Sequence, residues 1–343
     1  MSLTNEQYNL ILREYDSRRL KARHELEERI KKAEQKIPAL RSINQQIASS
    51  SVTYAKLSLS KEAVDFKELS VLNHSLSLEK EHLLEANGFP RDYLKLQYHC
   101  PFCKDTGFDK SQKRCRCFQQ TVMDLLYSQS FLQKQLKKEN FSTFRYDFYQ
   151  DLPDPEHPRE ATPLQNIKKA VQTCKKFIDL FSSDYKNVLI HGKTGVGKTF
   201  LSNCIANELL QQGYTIIYLS APQLFEIIEQ YKFTKSKTDT TLETAESKMQ
   251  YILTCDFLII DDLGTEFNNS FLSSQLYYCI NERFLRQKSM LISTNLTLDE
   301  IRESYSDRIF SRLCNDYVHI KLYGQDIRIK KAIIESPELA IDY

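Results

Sequence analysis

"HGKTGVGKTF", residues 191–200, holds three of the eight glycines in the chain, Gly192, Gly195 and Gly197, followed at once by Lys198 and Thr199. Glycine has no Cβ, so a loop rich in it can curl with its N–H groups pointing inward, where they cradle phosphate oxygens. A helix that starts directly after such a loop aims its positive end at the same place. Lys198 then reaches the β/γ-phosphates, and the Thr199 hydroxyl can ligand Mg²⁺. The run Gly192, Lys193, Thr194, Gly195, Val196, Gly197, Lys198, Thr199 is a full Walker A pattern. Its flanks agree, with the strand-like "KNVLIHG" before it and the amphipathic "FLSNCIANELLQQ" after it. The stretch predicts a nucleotide phosphate site between a strand and a helix.

The surroundings extend that pattern. From about residue 140 the chain alternates strand and helix, with apolar strand candidates "NVLIHG", "TIIYLSA", "DFLIIDDLG", "MLISTN" and "VHIKLYG". Such alternation predicts a parallel sheet of five strands covered by helices. The polar stretch 231–249, "YKFTKSKTDTTLETAESKM", interrupts it and is expected to be exposed.

"CDFLIIDDLG" puts Asp261 and Asp262 at the C-terminal end of a buried strand, where ligands of parallel sheets bind. Asp261 suits an Mg²⁺ carboxylate of the Walker B kind, and Asp262 beside it can polarise an attacking water. "LISTN" ends a strand on Thr294 and Asn295, polar groups able to position that water. "SDRIFSRL" sets Arg308 and Arg312 four apart on one helical face. These are either surface arginines with carboxylate partners or, in a ring or filament, arginine fingers offered to a neighbour's ATP. Arg328 in "GQDIRIKK" is a further candidate phosphate contact.

The order Walker A, "LIIDDLGTE", "ISTN", "DRIFSRL", "GQDIR" resembles the AAA+ ATPases of the bacterial replicative-helicase loaders of DnaC and DnaI type, with the related IstB transposition helpers. The similarity spans roughly residues 140–330. It implies an AAA+ P-loop NTPase fold, with Lys198 and Thr199 on phosphate and Mg²⁺ and Asp261 on Mg²⁺. It further implies Asn295 as sensor 1, Arg312 as arginine finger and Arg328 as sensor 2. Many AAA+ proteins carry Asp-Glu at Walker B, whereas this chain has Asp261-Asp262, so Glu266 is an alternative base. About twenty residues follow the last strand, too few for a full helical lid.

Residues 98–118, "YHCPFCKDTGFDKSQKRCRCF", change character. Cys100, Cys103, Cys115 and Cys117 form two close pairs, spaced so that four thiolates can converge on one Zn²⁺. The polar loop between them has no core of its own, which makes a structural metal the expected staple. His99 is either an alternative ligand or a neighbouring surface histidine. A module of this kind ahead of such an ATPase resembles DnaC-like proteins of Gram-positive bacteria and their phages. The other cysteines, Cys174, Cys204, Cys255, Cys279 and Cys314, are expected to pack as small hydrophobes.

Residues 1–95 are nearly glycine-free and read as helix. Ala22, Leu26, Ile30, Ala33, Ile37 and Leu40 follow a near-heptad seam. Pro38 should kink or end that helix. "IASSSVTYAKLSLSKEA" reads as a joint, and Asn87, Gly88 and Pro90 should stop a second helical stretch. Such a region either covers its own core or serves as a partner-docking arm.

The sequence is thus divided into a helical, partly coiled-coil-like region at 1–95, a zinc-binding module with linker at 96–140, and an AAA+ domain at 141–343. A chain of 343 residues with 41% hydrophobic and 27% charged residues is an ordinary globular composition, and a net charge of +2 gives no global field toward nucleic acid. No apolar run suits a bilayer, and the N-terminus lacks a signal-peptide core, so a cytoplasmic protein is expected.

From the resemblance, the expected function is ATP-dependent loading of the hexameric replicative DNA helicase. ATP and single-stranded DNA would bind the AAA+ domain, which would assemble into a ring or filament. A transposition-helper ATPase and an ATP-gated scaffold with little turnover are the competing readings.

Overall fold

The structure is a computed structural model that describes residues 5–59, 67–126, 135–136, 138–233, 240–266 and 270–335. They fall into two compact units, Asn5–Cys115 and the residues from Arg116 onward. Among the described residues, no helix is long and apolar enough to cross a membrane.

The first unit starts with three helices, α1 (Asn5–Lys36), α2 (Ala39–Leu59) and α3 (Lys67–Ala86). Pro38 separates the first two, since a proline there removes an N–H and clashes with the turn before it. Ala33, Ile37, Leu40 and Leu84 form a small core, covered by Phe89 and Tyr93 after α3. Polar links tie the same helices: Lys80 donates to Asn44 at 2.9 Å, and Asn44 donates to Glu34 at 2.9 Å. The C-terminal end of the seam, from Ala33 to Leu40, therefore buries within its own hairpin, while Leu26 and Ile30 stay half-buried. The joint expected over residues 47–63 is helix as far as Leu59, because Ser and Thr propensities are weak and an adjoining helix overrides them, and its last four residues lie outside the described residues.

The second unit is built on five parallel strands, β1 (Asn187–His191), β2 (Ile216–Ser220), β3 (Phe257–Leu263), β4 (Ser289–Thr294) and β5 (Tyr317–Lys321), in the order β2-β3-β4-β1-β5. All five coincide with the apolar runs read from the sequence. Helices α4 (Arg116–Leu126) and α5 (Pro163–Leu180) precede the first strand, α6 (Lys198–Gln211), α7 (Ala221–Phe233), α8 (Thr240–Thr254), α9 (Ser270–Leu285), α10 (Leu298–Ser304) and α11 (Asp307–Asp316) lie between strands, and α12 (Ile327–Glu335) follows the last. Both sheet faces are covered, which is why the strands read as continuous apolar runs rather than alternating ones. Val188, Ile190, Ile259 and Leu291 pack with Ile167 and Val171 of α5 and with Leu201 and Ile205 of α6. This is the parallel α/β sheet that the alternation of strand and helix predicts.

Three features were not legible beforehand. Gln120 of α4 bonds the backbone of the edge strand at Ile216, accepting from its N–H at 2.6 Å and donating to its carbonyl at 3.0 Å. Such a contact covers a free strand edge. Arg283 is fully buried and donates to the carbonyls of Ile252, Cys255 and Ser289, pinning the starts of β3 and β4. Residues 240–249, expected to be exposed, belong to α8, where Ala245, Met249 and Ile252 are buried. Their spacing of four and three was the available signal, masked by the threonines and lysines around it. Of the five scattered cysteines, four are buried, whereas Cys314 is exposed on α11 and does not pack as a core residue.

Candidate functional site

The strand order decides which side chains meet. Because β4 lies between β1 and β3, its C-terminal end emerges between the glycine loop after β1 and the two aspartates of β3. Residues from three distant parts of the chain therefore converge at one end of the sheet.

The loop behaves as its glycines require. Gly195 has φ +79°, and a Cβ there would stand 2.0 Å from a carboxylate oxygen of Asp326. Gly197 has φ +100° and caps α6, with the Tyr149 hydroxyl lying where a side chain would begin. Lys198, nearly fully buried, donates from Nζ to the carbonyls of Gly192 at 2.7 Å and Lys193 at 2.9 Å, and to Oδ1 of Asn295. Burial lowers its pKa, while Asp262 and Asp261 oppose that shift. The side chain of Lys193 turns away to Glu156, and the Val196 carbonyl accepts from the Tyr149 hydroxyl at 3.2 Å.

β3 carries a bulge at its two aspartates. It pairs with β4 at Ile260↔Ile292 and again at Leu263↔Thr294, so Asp261 and Asp262 together face the single residue Ser293. Successive side chains of a regular strand point to opposite faces, and a bulge breaks that alternation. Here Asp262 adopts φ +56°, and both carboxylates act electrostatically on Lys198. Asp261 is buried; its Oδ2 accepts from Thr199 Oγ1 at 3.1 Å and from the Tyr218 hydroxyl at 2.8 Å, and its Oδ1 accepts from Ser293 Oγ. The oxygen of Ser293 in turn accepts the Asp262 N–H at 3.0 Å. Burial raises the Asp262 pKa, and the Asp261 charge adds to that rise.

A cleft of about 620 Å³ opens over this arrangement. Thr194, Gly195, Gly197, Lys198 and Thr199 line one side, Asp262 and Asn295 lie at the strand ends, and Arg328 and Lys331 of α12 face them. Phe144 and Tyr149 complete it, their rings nearly parallel at 10° with centroids 6.1 Å apart. Sequence reasoning missed these two rings, although "FSTFRYDFY" is dense in aromatics. It also missed Tyr218 and Ser293, whose roles depend on strand neighbours rather than on any motif.

The remaining candidates lie elsewhere. Glu266 accepts from the Gly264 N–H at 2.9 Å and from the Tyr305 hydroxyl, and it does not line the cleft. Arg312 pairs with Asp316 at 3.0 Å, donates to Asn281 at 3.1 Å and lies over the Phe284 ring at 4.1 Å. Arg308 lies 5.9 Å from the Tyr277 ring, and it shares a separate surface depression with Arg312. Neither arginine reaches the nucleotide cleft of its own chain.

The sulfurs of Cys100, Cys103, Cys115 and Cys117 lie within 4.8 Å of one another, with 3.9 Å between those of Cys100 and Cys115. Four ligands about 2.3 Å from a tetrahedral zinc stand about 3.8 Å apart, so the donor set is compatible with Zn²⁺. Buried Asp105 orders the loop by accepting the N–H groups of His99 at 2.8 Å and Cys100 at 2.7 Å. His99 thus contributes its backbone there, and the cluster consists of the four cysteines alone.

The fold and the glycine loop define a P-loop ATP-binding protein of the AAA+ class. Residues 158–332, just over half of the chain, match the family of IstB-like ATP binding proteins, and the chain belongs to that family. It is 27% identical over 248 residues to the phage-like element PBSX protein XkdC of Bacillus subtilis, a match covering 65% of this chain and 82% of that one. It is 32% identical over 126 residues to the replicative helicase loader DnaI of the same organism, covering 36% of this chain and 38% of DnaI. The replicative helicase loader DnaC of Escherichia coli is 21% identical over 144 residues, covering 42% of this chain and 56% of DnaC. The chain therefore spans less than two thirds of either loader.

Proposed function

We propose that this protein is an ATP-dependent loader of a hexameric replicative DNA helicase, working in the cytoplasm. The observation that carries the ATPase part is the convergence of Lys198, Thr199, Asp261, Asp262 and Asn295 at one end of the sheet. The loader part rests on similarity to two proteins named as replicative helicase loaders.

In this reading the loop N–H groups and Lys198 hold the β- and γ-phosphates, while Phe144 and Tyr149 offer an apolar face to the base. Thr199 and Asp261 supply hard oxygen donors suited to Mg²⁺, which when bound neutralises phosphate charge. Asp262 is the base that takes a proton from the attacking water. Its carboxylate stands in the cleft, whereas Glu266 is engaged with Tyr305 and Gly264. Asn295 orients that water, and Arg328 steadies negative charge developing on the phosphate. Arg312, or Arg308, reaches the ATP of a neighbouring chain in a ring or filament. The helical region 1–95 and the zinc module 96–140 dock the helicase, and the domain 141–343 binds ATP and single-stranded DNA.

Two measurements test the proposal. Lys198→Ala should weaken ATP binding in calorimetry and abolish turnover while the fold stays intact. Affinity capture with the full chain should retrieve a hexameric helicase in an ATP-dependent manner. Retrieval of a transposase instead would transfer the same engine to the transposition-helper reading. ATP binding without turnover, with or without single-stranded DNA, would leave an ATP-gated scaffold.

A further inference from the structure

The Asp261 carboxylate is held by three hydroxyls from three different elements. Thr199 comes from the start of α6, Ser293 from β4 and Tyr218 from β2. A carboxylate only accepts, so all three protons point at Asp261. Each hydroxyl also has a different second duty. The Thr199 oxygen keeps its lone pairs for a cation while donating its proton. Ser293 is tied to the bulge, because its oxygen accepts the Asp262 N–H. Tyr218 approaches from the neighbouring strand and bonds Oδ2, the same oxygen that Thr199 reaches.

Strand geometry explains why this tyrosine and not another residue is there. β2 pairs with β3 in register Tyr218↔Ile259 and Ser220↔Asp261, so the Tyr218 backbone lies two residues before the level of Asp261. A tyrosine side chain is long enough to span that offset along the strand, whereas a serine or threonine at 218 would fall short.

We propose that Tyr218 is a positioning residue for Asp261, fixing its Oδ2 in the orientation in which Asp261 and Thr199 together receive a divalent cation. The inference rests on the nucleotide-site reading above. A carboxylate without this donor keeps its charge but gains rotational freedom, and ordering it again is then charged against cation binding. Ser293 is the poorer probe, because removing it would also orphan the Asp262 N–H in the bulge.

The test is a Mg²⁺ titration of the full chain, reading affinity for a fluorescent ATP analogue, in the wild type, Tyr218→Phe and Asp261→Asn. Tyr218→Phe removes the hydroxyl and keeps the ring. Its affinity in EDTA should equal that of the wild type. It should need about fivefold to tenfold more Mg²⁺ for half of the metal-dependent gain, and saturating Mg²⁺ should restore the gain fully. Mn²⁺ should give the same displacement, and Asp261→Asn should lose the gain altogether. An unmoved Mg²⁺ midpoint in Tyr218→Phe overturns the proposal. So does a loss of affinity that is equal in EDTA and in Mg²⁺, since that marks a packing role for the ring. A wild type that shows no metal-dependent gain overturns the nucleotide-site reading itself, a failure visible without any variant.

Discussion

The ammonium of Lys198 and the side-chain amide oxygen of Asn295, 97 residues apart, are hydrogen-bonded across the end of β4. The lysine that would grip phosphate is thereby held by the residue that would orient the attacking water. The contact ties the glycine loop after β1 to the end of β4, three strands further along the chain.

Asn295→Ala should separate these two duties. Lys198 keeps its bonds to the Gly192 and Lys193 carbonyls, so ATP affinity should change by no more than about threefold. Turnover should fall about 10²-fold, the loss typical of removing one preorganised polar group from a reacting site. Calorimetry beside steady-state ATPase rates checks this, and an affinity loss larger than the rate loss would contradict it.

Gly195→Ala should damage the loop rather than the sheet. A Cβ there meets Asp326 at 2.0 Å, and φ +79° is a conformation that side chains resist. The combined cost should be about 1–3 kcal/mol. Adding Asp326→Ala should recover only part of it, since the clash goes and the backbone strain stays. Denaturant midpoints of the two variants and of the wild type measure the split.

His191, at the end of β1, gives a pH window. Burial, with His319, Lys321 and Lys198 as like-charged neighbours, pushes its pKa down to about 4. Above the ordinary value of about 6.5 the ring is neutral in both states and contributes nothing to the pH dependence. Between about 6.5 and 4 the unfolded chain binds a proton that the folded chain refuses, so stability falls as pH falls. The loss should be about 1–2 kcal/mol, allowing for solvent screening of a partly exposed ring. Urea unfolding at pH 7 and pH 4.5 should show a smaller drop for His191→Asn than for the wild type.

Metal analysis should find about one zinc per chain, because four cysteine ligands complete one tetrahedron. Cys103→Ser or chelation should raise hydrogen exchange across residues 98–118 and leave the strands protected. Protein purified under reducing conditions without chelators and still free of zinc would defeat this expectation.

Arg312→Ala and Lys198→Ala should each be inactive alone and partly active when mixed. The first chain keeps a good pocket and lacks a finger, and the second keeps the finger and lacks the pocket; a head-to-tail interface joins them. A finger contributes about 10³- to 10⁵-fold in rate, so a minority of correctly ordered pairs should be measurable. To act in this way Arg312 must leave Asp316 and Asn281. Absence of recovery in variants shown to co-assemble would move the role to Arg308.

Local patterns by themselves determined the strands, the glycine loop and the cysteine set. "NVLIHG" and "DFLIIDDLG" read as strands because they are short, rich in branched apolar residues and continuous, as strands buried on both faces of a parallel sheet are. The glycines of the loop are required by backbone angles set within a few residues. Cys100, Cys103, Cys115 and Cys117 sit close enough along the chain to meet with little help from the rest of the fold. What local pattern left open was decided by tertiary contact. Residues 240–249 became helix because a buried face was available to Ala245 and Met249. Asp262 was the first candidate base and Glu266 its alternative, and only the fold separates them: the bulge opposite Ser293 accompanies an Asp262 that lines the cleft, whereas Tyr305 holds Glu266 outside it. Tyr218 belongs to no motif, and its place beside Asp261 follows only from the register of β2 on β3. Hydrogen bonds between distant strands depend on register and strand order, and neither is written in the spacing of residues along one segment.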